Sequence, residues 1–485
     1  MLKNTLGWMA AVLLCSGCSQ AGSVVGKAPP DLKRPHQIDV VFNHNARSRY
    51  RSPLTGDWRN GDDMEAWLID AIDGANEEVL VAVQELNLPK VAQALIAAQQ
   101  RGVDVAVVLE NNYSQAWSQL RPSRLNRRGR QRWHQLKKLA DSNGDGRTSS
   151  EEAFLGDAIA LLQAANIPLI DDTADGSSGS GLMHHKFLVI DQTTLITGSA
   201  NLTSSGLHGD ADRPSSRGNV NHLLQINSPE LALVFRQEFA QMWGDGPGGA
   251  QDSRFGLQKA KGSVQTVQVG DIRVDVLFSP HPKKDRNHGL NLLAEQLKAA
   301  KKSIDMALFV FSAQQLTNVL REQIKRSIEI RLVADPGFAS RPFSEVLDLL
   351  GVTLPDHTCK VEAGNRPLEQ GLKGIGTPRL ARGDKLHHKF AVVDNKTVIT
   401  GSFNWSPSAA HTNDETLLVI HSPQLAKHFT REMDRLWDTA ELGITPHLRR
   451  KLERQKIRCG DGLMKGSPKP NKEQGLTKKS IEDDS

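Results

Sequence analysis

Cysteine is scarce in this chain, with four in 485 residues, at positions 15, 18, 359 and 459. So few thiols exclude a fold built on a disulfide framework. Long apolar runs are missing too. No stretch approaches the ~18 apolar residues that a helix needs to span a bilayer. Charge of one sign is also in short supply: the net formal charge is only +5, a weak field for attracting an anionic partner. What remains is ordinary for a soluble globular protein, 38% hydrophobic and 24% charged with a mean hydropathy of −0.41. The length suffices for two or three domains, each with its own core.

Residues 1–18 read as an export signal. Lys3 supplies a positive start, and "GWMAAVLLC" is an apolar core too short to cross a membrane. Ser16 and Gly17 precede Cys18. The segment resembles a bacterial lipoprotein signal, which implies a lipid on Cys18 and a membrane anchor facing the periplasm or cell exterior. Cys15 stands where that pattern prefers Leu, so ordinary signal cleavage is the alternative. After processing only Cys359 and Cys459 are left, and their pairing is open.

One polar sentence is written twice. "LMHHKFLVIDQTTLITGSANLT" spans Leu182 to Thr203, and "KLHHKFAVVDNKTVITGSFNWS" spans Lys385 to Ser406. The repetition reaches further. "AIDGANEEVLVAVQEL" with "VAQALIAAQQRGVDVAVVLE" parallels "QLKAAKKSIDMALFVF" with "LTNVLREQIKRSIEIRLVAD". Both read helix, buried strand, helix, buried strand, and the strands are continuous apolar runs, as in a sheet covered on both faces. The expected fold is α/β: two duplicated domains, each a mixed sheet flanked by helices, with the site at their pseudo-twofold interface. The expected domains are 19–250 and 251–448, with their boundary in the Gly-rich segment 244–265 and a disordered tail from 449 to 485.

His184 and Lys186, like His387 and Lys389, are two apart on a strand and so project to one face. Two copies facing each other bring together two imidazoles, two ammoniums, the amides of Asn201 and Asn404, and the hydroxyls of Ser199 and Ser402. That set suits a phosphodiester. Cations and donors hold the non-bridging oxygens, one imidazole attacks phosphorus, and the other protonates the leaving oxygen. No metal is required for that chemistry. The neighbours His185 and His388 raise a four-His metal site as a rival, but adjacent strand residues point to opposite faces. Trp405 is expected to be a core or rim residue.

At these residues the sequence resembles the phospholipase D superfamily. Both signature motifs are intact: His184, Lys186 and Asp191 with Gly198, Ser199 and Asn201, then His387, Lys389 and Asp394 with Gly401, Ser402 and Asn404. The resemblance implies a phosphohistidine intermediate resolved by water or an alcohol. It also implies that Asp191 and Asp394 each hold their own strand-turn together, and that an acidic residue beyond each Asn orients the His ring. Glu415 fills that place in copy two. Copy one has Asn221 there, with Asp210 or Asp212 as candidate substitutes. The family convention favours His184 as nucleophile, and the missing carboxylate leaves the roles of the two histidines open.

"DSNGDGRTSSEE" (Asp141 to Glu152) follows the twelve-residue calcium-loop order. Asp141, Asn143 and Asp145 fall at positions one, three and five, Gly146 at the turn, Arg147 at the backbone-carbonyl position, and Glu152 at the closing position. Thr148 stands where such loops carry an aliphatic residue. Calcium is expected as a structural brace, not for catalysis. The expected partner is a phosphodiester substrate, a phospholipid first and a nucleic acid as the alternative; a non-catalytic phosphate binder is third. The densely basic stretch Arg121 to Lys138 suits either substrate, and a solvated helix face explains it equally well. A monomer is expected.

Overall fold

The computed structural model describes Leu32 and residues 37–460. The export signal with Cys18, and the end of the chain beyond residue 460, lie outside the described residues.

The apolar runs form two sheets of the same design. In copy one the strand order is Ile38–Phe42, His222–Asn227, Thr194–Gly198, Lys186–Ile190, Glu78–Val83, Asp104–Leu109, Leu169–Asp171. Copy two repeats that order as Ile272–Ser279, Glu415–His421, Thr397–Gly401, Lys389–Val393, Ser303–Leu308, Glu329–Ala334, Ile375–Thr377, and adds an edge strand at each side. Parallel pairing joins Glu78–Val83 to Asp104–Leu109, while the motif strand runs antiparallel beside it. Both sheets are therefore mixed.

Each sheet has an outer layer of helices. Met64, Leu68 and Ile72 recur on one face of the helix Met64–Asp73 and are fully buried with Val91 and Leu95. Leu290, Leu293, Leu297, Leu316 and Leu320 do the same in copy two. The inner faces meet in a third cluster that belongs to neither copy. Phe42, Phe187 and Phe235 pack into the same cluster as Phe390, Phe429 and Met433. Two separate cores were expected; the described residues share this one at the interface.

Two long inner helices, Pro229–Trp243 and Pro423–Trp437, begin alike. In each, a Ser (Ser228, Ser422) accepts the backbone N–H three residues on, and a Pro occupies the first helical position. They lay Glu238 against His185 (3.1 Å) and Glu432 against His388 (3.0 Å).

The boundary segment 244–265 is packed against the body: Phe255 is 1% exposed, the Gly256 N–H donates to Asp414, and the Lys259 side chain is buried against Glu238 and Asp414. One expectation needs correction: the tail does not begin at 449. A helix runs Pro446–Cys459, capped by Thr445 and joined to the body by a Cys359–Cys459 disulfide. Gln455 donates to the carbonyls of Pro355 and Asp356, and Leu448 is buried. The covalent tie and these few anchors order a segment with little apolar periodicity.

Candidate active site

The motif strands leave their sheets toward each other, and each pairs with the other copy. The His184 N–H donates to the Asp414 carbonyl (2.9 Å) and the Asp414 N–H to the Leu182 carbonyl (2.9 Å). Reciprocally, the Val220 N–H donates to Lys385 and the His387 N–H to Val220. These crossed bridges set the chemistry. His184 Nδ1 lies 2.7 Å from Glu415 Oε2, whereas His387 Nδ1 lies 3.0 Å from Asn221 Oδ1.

Glu415 thus orients the histidine of the other copy, not its own as expected. His184 has a carboxylate after all. The candidate substitutes are engaged elsewhere, Asp210 with Arg213 and Asp212 with Lys138.

The serines also differ from expectation. Ser402 Oγ donates to Glu415 (2.6 Å) and Ser199 Oγ to Asn221 (2.8 Å), and both are fully buried. They hold the orienting groups and do not face the cleft. Gly198 and Gly401 precede them where the chain is crowded. A Cβ would come within 2.3 Å of the His222 carbonyl in one case and of the Thr416 carbonyl in the other.

Lys186 Nζ donates to the His184 carbonyl (2.8 Å) and Lys389 Nζ to the His387 carbonyl (2.7 Å). Each ammonium has three donors, so each retains N–H groups for a ligand. Asn201 donates to Gln84, and the side-chain oxygens of Asn201 and Asn404 are buried without a partner.

The electrostatics follow from burial. Desolvation, then Lys186 and Lys389, holds the His184 imidazole well below its ordinary value. His387 is lowered in the same way, by burial and then by the same two ammoniums. Burial pulls Lys186 down to about 7, and burial, then Lys186, holds Lys389 well below its ordinary value. Burial pushes Glu415 up to about 7, opposed by Lys186, Ser402 and Asn413. Three donors, from His184, Ser402 and Asn413, converge on this carboxylate, and all three favour its ionised form. Donation of Nδ1–H to Glu415 leaves the Nε2 lone pair of His184 free.

Asp191 and Asp394 sit at the far ends of their strands, seven residues and so roughly 20 Å from the histidines at strand rise. Asp191 accepts the N–H groups of Asn76, Glu77 and Glu78, and Asp394 those of Lys301, Lys302 and Ser303. They fasten turns. His185 and His388 point away from the cleft, to Glu238 and Thr416 and to Glu432 and His222. Trp405 is fully buried against Phe311.

In the calcium-order loop, Asp141 accepts from Gly144 and Gly146, Asn143 from Asp145, and Asp145 from Arg147. Glu152 forms a capping box with Ser149 and also accepts from Ser142 and Asn143; these hydrogen bonds hold it down to about 2. Its carboxylates therefore face loop amides. Among the described residues, no three His, Cys, Asp or Glu side chains gather closely enough to hold a metal ion.

Two residues went unnoticed in the sequence. Gln84 lies 3.5 Å from Lys186 Nζ, and Phe309, its equivalent, packs on His387 with centroids 4.7 Å apart. Superposing "VLVAVQEL" on "IDMALFVF" shows the exchange. The basic helix Arg127–Ala140 also reaches this region, through Arg132 to Glu85 (2.7 Å).

The chain is similar to known proteins in family and fold. The family described as "Cardiolipin synthase, PLD-like domain" matches residues 68–243 and 293–437, more than half of the chain. A mitochondrial cardiolipin hydrolase of Xenopus laevis is 27% identical over 157 residues, 32% of this chain and 65% of that protein. A phospholipase D of Rickettsia bellii is 27% identical over 33% of this chain and 68% of its own. The crystal structure of phosphatidylserine synthase from Haemophilus influenzae shares the fold at a TM-score of 0.51 and 12% identity, covering 88% of this chain and 94% of that one. The chain covers less than two thirds of the frog relative's own length. With both motifs, the repeated sheet order and the matched family domain in place, the chain belongs to the phospholipase D superfamily.

Proposed function

We propose that the protein is a phospholipid phosphodiesterase that works through a phosphohistidine on His184. The observation that carries this reading is the 2.7 Å contact between His184 Nδ1 and Glu415 from the other copy. A carboxylate there fixes the tautomer with Nε2 unprotonated and stabilises the imidazolium character that develops on attack. His184 Nε2 forms a bond to phosphorus while the bond to the leaving oxygen breaks. His387 gives that oxygen its proton. Lys186, Lys389, Asn201 and Asn404 hold the non-bridging oxygens. His387 then takes a proton from water, or from an alcohol in headgroup exchange, and the P–N bond breaks. His387 is depressed in the free protein by burial and two ammoniums; an anionic phosphodiester between them favours its protonated form.

The names of the matched relatives support phospholipid over nucleic acid. A parallel assay of the purified protein on phosphatidylcholine, cardiolipin and single-stranded DNA tests this reading. Release of headgroup or phosphatidate is expected, and cleavage of DNA alone overturns it.

Export, lipidation of Cys18 and a membrane-anchored monomer belong to the same reading. A disulfide between Cys359 and Cys459 suits an oxidising compartment, and one chain supplies both halves of the site. An acyl mass on a mature chain starting at Cys18 is expected in mass spectrometry, and a chain starting elsewhere without it ends the idea.

Calcium is proposed to bind Asp141, Asn143, Asp145, the Arg147 carbonyl and Glu152, gathering oxygens that otherwise accept loop amides. Calorimetry at millimolar calcium should register heat and a raised melting temperature by mass action. A flat titration leaves the loop a helix cap only.

A further inference from the structure

Copy two covers a polar helix face that would ordinarily be left to solvent. On the helix Gln314–Lys325, Leu316 and Leu320 pack into the core, and Gln314, Thr317, Asn318 and Arg321 form a stripe on the opposite side. The short helix Glu345–Leu349 lies over that stripe and turns Glu345 and Asp348 inward, each 1% exposed. Gln314 Nε2 donates to Asp348 Oδ2 (2.9 Å), joining the two polar faces, and Thr317 is 0% exposed.

The oxygens gathered there are short of partners. Among the described residues, neither carboxylate oxygen of Glu345 accepts a hydrogen bond of proper geometry, and Asp348 Oδ1, Gln314 Oε1 and Thr317 Oγ1 are also buried without a partner. Buried acceptors are nearly always satisfied, and an unpaired buried carboxylate is among the costliest exceptions. Burial pushes Glu345 up to about 8; the nearby Thr317 hydroxyl and Arg321 oppose this, while Glu362 and Asp348 add to it. Arg321 is directed elsewhere: it donates to the Arg366 carbonyl, and its Nε is buried without a partner. With Glu345, Asp348 and Glu362 ionised, three carboxylates against this one guanidinium leave a formal charge of −2.

We propose that Glu345, Asp348, Gln314 and Thr317 form a calcium site in copy two. The ligands are two carboxylates, an amide oxygen and a hydroxyl, all hard donors, and water completes the shell. Glu362 adds charge without joining them, since no three acidic side chains gather at one point. Such a mixed set suits calcium better than magnesium, which demands a near-ideal octahedron. A divalent cation cancels the excess charge and gives the orphaned oxygens a partner. The site follows the strand Glu329–Ala334, as the loop Asp141–Glu152 follows the equivalent strand Asp104–Leu109. The Glu345 N–H donates to the Phe311 carbonyl (3.0 Å), and Phe338 of the same segment packs on Phe309, which packs on His387. The ion therefore ties down the segment that backs His387.

The test begins with an Asp141→Asn/Glu152→Gln chain, which takes two carboxylates from the copy-one loop and so separates the two sites. Equilibrium dialysis at about 1 mM calcium should find one ion per chain, and calcium should raise the melting temperature by several degrees. Adding Glu345→Gln should abolish both effects. In chelator that substitution should leave the melting temperature equal or higher, because an unpaired buried carboxylate becomes an amide. A starting chain that binds no calcium overturns the site, as does binding that survives Glu345→Gln. Should Glu345→Gln fail to fold, Thr317→Val removes one neutral ligand at constant shape. It should weaken calcium binding by about tenfold, and an unchanged affinity overturns the site.

Discussion

Replacing His184 with alanine is expected to lower kcat by roughly 10⁴-fold or more, and His387→Ala should do nearly the same. The double variant should be within about tenfold of either single one, because groups that act as one unit are strongly non-additive. The physical ground is that both rings are buried under the influence of the same two ammoniums, Lys186 and Lys389. Removing either ring leaves the other facing a phosphodiester with no partner. His387→Ala quenched in alkaline denaturant, in which a P–N bond survives, should retain a phosphoryl group, since the second step lacks its base, while His184→Ala should retain none. Full turnover by His387→Ala would make copy two a scaffold only.

The second large effect concerns the orienting pair, which is chemically unequal. Glu415→Gln keeps the shape but removes the charge that faces His184, and a loss on the order of 10²- to 10⁴-fold in kcat is expected. Asn221→Ala should cost far less, because an amide oxygen gives His387 direction without charge. The pH profile separates orientation from stability. Burial pushes Glu415 up to about 7, so the carboxyl takes a proton as pH falls through that value and ceases to stabilise the imidazolium. The rate should therefore fall on the acid side of about pH 7 in the wild type. Glu415→Gln should lack that limb. Equal losses in Glu415→Gln and Asn221→Ala, or an acid limb that survives the substitution, would refute the assignment of His184 as nucleophile.

Much of this architecture was legible because the chain repeats itself. The apolar runs around Val81 and Met306 read as buried strands, and the spacing from His184 to Asn201 and from His387 to Asn404 marked both halves of the cleft. The crossing was not legible. Aligning the copies shows that Glu415 and Asn221 are equivalent, but equivalence within a repeat does not say which copy a side chain faces. That depends on the backbone bridges at Met183–Asp414 and Val220–Leu386, which carry no side-chain signature. The serines misled for a related reason: a buried hydroxyl that holds an orienting group has the same spacing as one that touches substrate. The helix ending at Cys459 escaped notice because its order comes from a covalent tie and a few polar anchors, not from an apolar stripe.

The crossed pairing also makes the two halves unequal as potential building blocks. Two copies of the first half, assembled about the same axis, would present His184 to Asn221 on both sides and have no carboxylate at all. Two copies of the second half would present His387 to Glu415 twice, each side equipped to serve as nucleophile. The fused chain holds one of each, so under the proposed mechanism its covalent order sets which histidine attacks and which transfers the proton. Exchanging the roles would take substitutions in both halves at once.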